Sequence, residues 1–308
     1  MALATLTLAG LPIIGASGSA SAALAPPCSE TIGTQDVPLW RRSADTSPVT
    51  AADLAALPAQ ETSRRTLARE VAPRLASSVT IPVYVHVIKG KHRGENHTAG
   101  PRKVARAIAT LNGGFHAQQS ALGVSTRYTF KLRRIDWTRR DGWYHAFLNG
   151  PRDRAAKRKL HRGGSRTLNL YINGGGRPNE PILGWARFPW QYDRAPKLDG
   201  VSVNVASLPG GRARGYNRGD TVVHETGHWM GLLHTFQGGC SETNDQVSDT
   251  PAEAEPSFYC DTTRDTCLES PGLDPVHNFM DYSLDSCMDR LTAGQVGRMD
   301  AAFVRWRK

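Results

Sequence analysis

Residues 219–236 read GDTVVHETGHWMGLLHTF, and this stretch decides how the rest of the chain is interpreted. His224, Glu225, His228, Gly231 and His234 form H-E-x-x-H-x-x-G-x-x-H without a gap. Residues four apart on an α-helix lie on nearly the same face, one turn apart. His224 and His228 therefore present two imidazoles to one metal ion, and Glu225 stands beside the first of them. Gly231 accepts a positive φ at little cost, so the helix can stop there. A sharp turn at that point brings His234 back as a third ligand. Three protein ligands leave the fourth position of a zinc ion open for water, which marks a catalytic rather than a structural site. Asp220 is the expected cap of the helix, its carboxylate accepting from free amides of the first turn. H-E-x-x-H alone also fits two surface histidines, whereas the long form fixes five residues with one mechanism.

A second motif lies downstream. Asn278-Phe279-Met280-Asp281-Tyr282 places a methionine where a turn beneath the metal is needed. With it, the zinc motif resembles that of the metzincin zinc endopeptidases. His234–Cys240 (HTFQGGC), Asp249–Pro251 (DTP) and NFMDY together resemble the pappalysin, or cytophagalysin, family, from about Ile81 to the C-terminus. The resemblance implies an α+β fold: a mixed twisted sheet with backing and active-site helices, above a loop-rich, disulfide-linked lower lobe. It also implies a secreted endopeptidase that acts on proteins or peptides. Zn²⁺ would sit on His224, His228 and His234, with Met280 as an apolar floor. Glu225 would carry the proton from water to the leaving amine. Tyr282 matches the position of a tyrosine that stabilises the tetrahedral intermediate in several metzincins. Asp285, five residues after Met280, falls in the segment that walls the pocket for the side chain after the cleaved bond. A carboxylate there favours Arg or Lys. Calcium is implied in the lower lobe, where Asp245, Asp249 and Thr250 lie in an oxygen-rich loop.

At 308 residues, 39% hydrophobic, the chain can bury one large core behind a leader. The net charge of +10 is uneven. Between Lys131 and Arg166 there are twelve Lys/Arg against three Asp, and between Cys240 and Arg290 twelve Asp/Glu against two Arg. The basic stretch lacks interleaved stacking aromatics and any nucleic-acid motif, so it reads as a solvated face rather than a nucleic-acid site. Five cysteines are present. Cys240, Cys260, Cys267 and Cys287 taken alone allow three pairings, and no C-x-x-C suggests a structural metal. The family resemblance implies Cys240–Cys267 and Cys260–Cys287. Cys28 is the odd one. Disulfides need an oxidising compartment, consistent with export.

Residues 2–16 are apolar but too short and broken to span a bilayer. With Ala20-Ser21-Ala22 they read as a signal peptide over residues 1–22. Pro26 and Pro27 argue against a lipid anchor at Cys28. Residues 23–77, rich in Ala, Pro, Ser, Thr and Arg, read as a pro-segment. There Cys28 is a candidate latency switch, its thiolate filling the open zinc position. The catalytic domain then spans 78–308, divided into an upper part, 78–231, and a lower part, 232–308. Strands are expected at Ile81–Ile88, Thr126–Leu132, Thr167–Ile172 and Gly200–Ser207. His86 inside the first is read as a strand residue rather than a ligand. Leu183–Phe188 resembles the family's edge strand, which pairs with an extended peptide. Amphipathic helices are expected over Lys103–Ala121 and Leu291–Trp306. Asn96-His97-Thr98 is a glycosylation sequon by pattern. No oligomeric state follows from the sequence. The alternative function is a non-catalytic, zinc-containing binding protein of the same fold, which would usually lack Glu225 or a ligand histidine.

Overall fold

The computed structural model describes residues 77–91, 99–177 and 180–308, together with Val49. The signal peptide, Cys28, the sequon and nearly all of the pro-segment lie outside the described residues.

β1 (Val79–Lys89) alternates along its length. Ile81, Val83, Val85 and Val87 point to one face and are fully buried or nearly so. β-Branched residues suit such a face because their stiff side chains pack well on a pleated surface. β1 is flanked in parallel by β2 (Tyr128–Arg139) and β3 (Leu168–Asn173). β7 (Val201–Asn204) continues the parallel set beside β3, and the short β6 (Gly184–Ala186) closes the edge antiparallel to β7. The order is β2-β1-β3-β7-β6, and a small hairpin of β4 (Gly176–Arg177) and β5 (Glu180–Pro181) stands apart. β2 runs past the expected Leu132 to Arg139 because β1 pairs with it throughout. One extra residue, Arg133, is accommodated where the register shifts at Val83/Tyr84.

The apolar face of the sheet is covered by α1 (Pro101–Phe115), whose Val104, Ala107, Ile108, Leu111 and Phe115 are buried. Pro101 stands in the first turn, where a missing N–H costs nothing. The helix ends at Phe115, short of the expected Ala121. Gly113-Gly114 weakens it there, and Gly114 is pressed against Val223, with which an added Cβ would collide at 2.8 Å.

The opposite face is more polar. His86 holds Asp136 through Nδ1 at 3.0 Å and Asn169 through Nε2 at 3.0 Å, as a strand residue. Over it lies α3 (Pro151–Leu160), a helix concealed in the basic stretch, after the single turn α2 (Asp141–Tyr144). Ala156 and Leu160 pack on Ile88, Tyr144 and Tyr171. Asp153 and Lys157 are buried too. Asp153 accepts from Trp185 Nε1 at 3.2 Å, and burial pushes the Lys157 ammonium below its usual range.

Residues 232–292 carry no helix or strand, only an isolated bridge between Asn278 and Arg290. Cys240–Cys267 and Cys260–Cys287 tie this lobe, each with a sequence separation of 27. Closing a loop of that size contributes about 3.5 kcal/mol by the chain-entropy model. Polar contacts around Glu253 supply further order. Arg264 Nη1 donates to Glu253 at 2.8 Å and to Asp274 at 2.5 Å, and Thr235 Oγ1 donates to Glu253 at 2.6 Å. The final helix, α5 (Ala293–Trp306), opens on a capping box between Thr292 and Gln295.

Burial, then the nearby charge of Asp281, pushes the Glu253 carboxyl up to about 8. An acid raised in the folded state holds its proton there while the unfolded chain, with Glu near 4.3, has released it. Its contribution is present at low pH and is lost as pH rises through about 8. At fixed metal content, the wild type is therefore expected to melt a few degrees lower at pH 8.5 than at pH 6.5. Glu253→Gln should narrow that gap, as circular dichroism melts will show.

Candidate metal centre

α4 (Asp220–Trp229) carries the first half of the motif. Gly219, at φ 103°, leads into it, and Asp220 is its first residue rather than its cap. The capping role falls to Asp285. Its Oδ2 accepts from the backbone N–H of Arg218 at 2.7 Å and of Gly219 at 3.2 Å. Asp220 instead turns sideways and accepts from Gln119 Nε2 at 3.2 Å. The positive φ of Gly219 bends the chain so that a carboxylate from another segment, not the local one, meets these amides. Both acids are buried. Burial, and secondly the Asp285 charge, pushes Asp220 up to about 8, while burial pushes Asp285 up to about 6.

His224 and His228 project from one face of α4. His224 Nδ1 donates to the carbonyl of Phe279 at 2.6 Å, and His228 Nδ1 donates to that of Leu232 at 2.8 Å. A carbonyl can only accept, so the ring proton sits on Nδ1 and Nε2 carries the lone pair that a metal needs. At its far end the helix closes tightly. Gly231 N donates to His228 O and Leu232 N to Gly227 O, both at 2.9 Å, with Gly231 at φ 102°. The turn swings His234 round, and its Nε2 stands 3.1 Å from that of His228, which is itself 3.1 Å from that of His224. Two ligand nitrogens on a tetrahedral zinc ion stand about 3.3 Å apart. The three buried histidines thus fit that ion in both donor type and spacing.

Two glycines keep the site compact. A Cβ on Gly227 would stand 2.4 Å from the Met280 sulfur, so the methionine turn seats directly on the helix. A Cβ on Gly184 of β6 would stand 2.6 Å from Glu225 Oε1. The carboxylate of Glu225 therefore lies against the backbone of the edge strand. Sequence reading did not single out Gly184; its place in Leu183–Phe188, the stretch resembling an edge strand, was the available signal. Tyr282 closes the other side, its ring 5.0 Å from His234 and 5.8 Å from His224. Beyond β6, Phe188 meets His228 edge-on at 5.3 Å and stacks on Trp190. Leu233, Trp306 and Val49 complete that apolar cluster.

The calcium candidates part company. Asp245 is buried, and burial pushes its carboxyl up to about 8. Thr250 is buried as well. Asp249 turns to the start of α5, accepting from Thr292 Oγ1 at 2.7 Å and Gly294 N at 2.8 Å.

Imidazoles held in this way on a helix under a mixed sheet, with a disulfide-tied lobe below, define a metzincin-type zinc peptidase. Comparison with known proteins agrees. The family model described as pregnancy-associated plasma protein-A, of the M43 peptidases, matches residues 165–304. An extracellular metalloprotease of Verticillium alfalfae is 38% identical over 235 residues, 75% of this chain and 78% of the relative. One of Neurospora crassa is 37% identical over 240 residues, 75% of this chain and 77% of the relative. Among solved structures, mature mirolysin of Tannerella forsythia with a cleaved peptide is 27% identical. It covers 74% of this chain and 93% of that chain with a TM-score of 0.62. The chain belongs to the pappalysin family of zinc metalloproteases. It is a secreted metalloendopeptidase.

The contact at Gly184 generates a direct expectation. Gly184→Ala should keep its zinc while kcat falls on the order of tenfold or more, because a methyl displaces Glu225 from its working position. Metal analysis and steady-state kinetics on one preparation check both halves.

Proposed function

We propose that this enzyme cleaves proteins on the N-terminal side of Arg or Lys and is made as a latent precursor. The observation that carries the specificity is Asp285. Its Oδ2 is bound by the amides at the start of α4, while its Oδ1 is buried without a hydrogen-bond partner. Leu183, Ala206, Ala213, Tyr216 and Leu284 pack together beside it. Apolar side chains next to an unsatisfied carboxylate oxygen suit a long aliphatic side chain with a cationic tip, and a guanidinium pairs with it most completely.

His224, His228 and His234 hold the metal. When bound, zinc polarises the scissile carbonyl and lowers the pKa of the attacking water. Glu225, fixed against Gly184, takes the proton of that water and delivers it to the leaving amine. Tyr282 stands beside two of the histidines, and its hydroxyl would donate to the carbonyl oxygen as charge develops there. Asp245 and Thr250 would hold calcium in the lower lobe. Latency rests on Cys28, whose thiolate would occupy the open metal position in the precursor. A Cys28→Ala precursor no more active than the wild-type precursor contradicts that part.

The mature enzyme should cleave denatured proteins and lose that activity to a zinc chelator. Glu225→Ala should retain zinc while kcat falls by roughly three orders of magnitude or more. This outcome also separates the enzyme from a non-catalytic zinc-containing binding protein. For specificity, peptides with Arg, Lys, Leu or Phe after the scissile bond are compared. Wild type should favour Arg and Lys, and Asp285→Ala should lower kcat/KM for them by about tenfold to a hundredfold. The Arg-to-Leu ratio should fall as pH drops through about 6, where Asp285 takes up a proton. A wild-type preference for Leu or Phe, or a basic preference that survives Asp285→Ala, contradicts the assignment.

A further inference from the structure

β6 is the last strand of the sheet, paired on one side only by β7. An extended peptide that adds to its free edge in the antiparallel sense runs from the Phe188 end towards the Leu183 end. Its residues after the scissile bond therefore pass Leu183 and the apolar side chains beside Asp285. Next to them is the loop from Leu208 to Gly219, fixed to Asp285 at two points. Asp285 N donates to Gly215 O at 2.9 Å, and Asp285 Oδ2 accepts from Arg218 N and Gly219 N. Ala213 and Tyr216 turn inwards and pack against Leu183 and Leu284. Arg212, Arg214 and Arg218, between and after them, are exposed.

α1 runs along the outside of the same loop. Lys103 Nζ donates to Gly210 O at 3.2 Å, and Thr110 Oγ1 donates to Arg218 O at 3.3 Å. Arg106 lies between these two positions on the same side of the helix, close enough for its charge to help hold the Lys103 ammonium below its usual range, after burial. α1 contains no Asp or Glu. Among the described residues none of Lys103, Arg106, Arg212 or Arg214 forms an ion pair. Asp285, which holds the end of this loop, and Asp220 are both buried. Among the described residues this rim therefore carries five cations and no ion pair on Lys103, Arg106, Arg212 or Arg214.

We propose that this rim is an acidic subsite. It receives Asp or Glu side chains two to four residues beyond the cleaved bond, so preferred substrates carry a basic residue followed by acidic ones. The proposal rests on the reading of Asp285 and of the peptide direction given above, and it adds a second, oppositely charged determinant. Exposed cations attract in high dielectric, so the effect is moderate and falls with salt.

The test uses two sets of quenched fluorescent peptides, one with Arg and one with Leu after the scissile bond. Within each set the next three residues are Glu, Gln or Lys. At low ionic strength the wild type should cleave the Glu peptides on the order of tenfold faster in kcat/KM than the Lys peptides, mainly through KM. At about 0.5 M salt the ratio should shrink to roughly twofold. Arg212→Gln/Arg214→Gln should bring the Glu peptides down to the Gln level and leave the Gln peptides unchanged. Arg106→Gln, on a different element, should move the ratio the same way by less. Equal wild-type rates for Glu and Lys peptides overturn the proposal, as does a Glu preference that both variants keep. Faster cleavage of the Leu set than of the Arg set would count against Asp285 alone, because the Glu-to-Lys ratio inside either set still reports the rim.

Discussion

His224 Nδ1 lies 2.6 Å from the carbonyl of Phe279, and through this hydrogen bond the two lobes make one site. The histidine belongs to a helix held under the sheet, whereas the carbonyl belongs to a loop with no regular hydrogen-bond ladder of its own. Met280, the next residue, seats its sulfur against Gly227 on the same helix. Asn278 Oδ1 accepts from Met280 N at 2.9 Å and from Gln295 Nε2 at 3.0 Å, which ties the turn to the start of α5. A turn built this way fixes tautomer and ring angle together, as partners behind metal ligands generally do.

α4 is clamped at both ends by charge of the appropriate sign. Asp285 meets the free amides at its N-terminus, and Arg307 and Arg298 meet the carbonyls at its C-terminus. Arg307 Nη2 donates to Trp229 O at 2.8 Å, and Arg298 Nε donates to Gly231 O at 2.7 Å. Arg307 is wholly buried, stacks over Trp229 at 3.8 Å and pairs with Asp199 at 2.8 Å. These partners complement the helix dipole and satisfy its orphan groups. Asp285 thus orders the start of the helix that carries His224 and His228.

The zinc ligands were legible because their geometry is local. Spacing along one helix and one glycine turn set where three imidazoles go. The apolar strands and the final helix were legible for the same reason, and the disulfide pairing came through family likeness. Asp220 misled because capping looks like a local property, yet the positive φ at Gly219 passes the role to Asp285, sixty-five residues downstream. α3 was hidden because its cations overwhelm the signal of Ala156 and Leu160, and its buried Asp153 and Lys157 show only in the folded chain. Gly184 carries no signal of its own in one sequence; only the approach of Glu225 across the cleft gives it meaning.

Three imidazoles, held through Nδ1 or by the turn after α4, are spaced to meet one metal ion with a position to spare. Zinc-edge X-ray absorption on the mature enzyme tests this most directly. The expected spectrum has three imidazole nitrogens and one further light-atom ligand at about 2.0–2.1 Å, with one zinc per chain. A sulfur ligand in the mature enzyme, fewer than three imidazoles, or a fully protein-bound fourth position would contradict it.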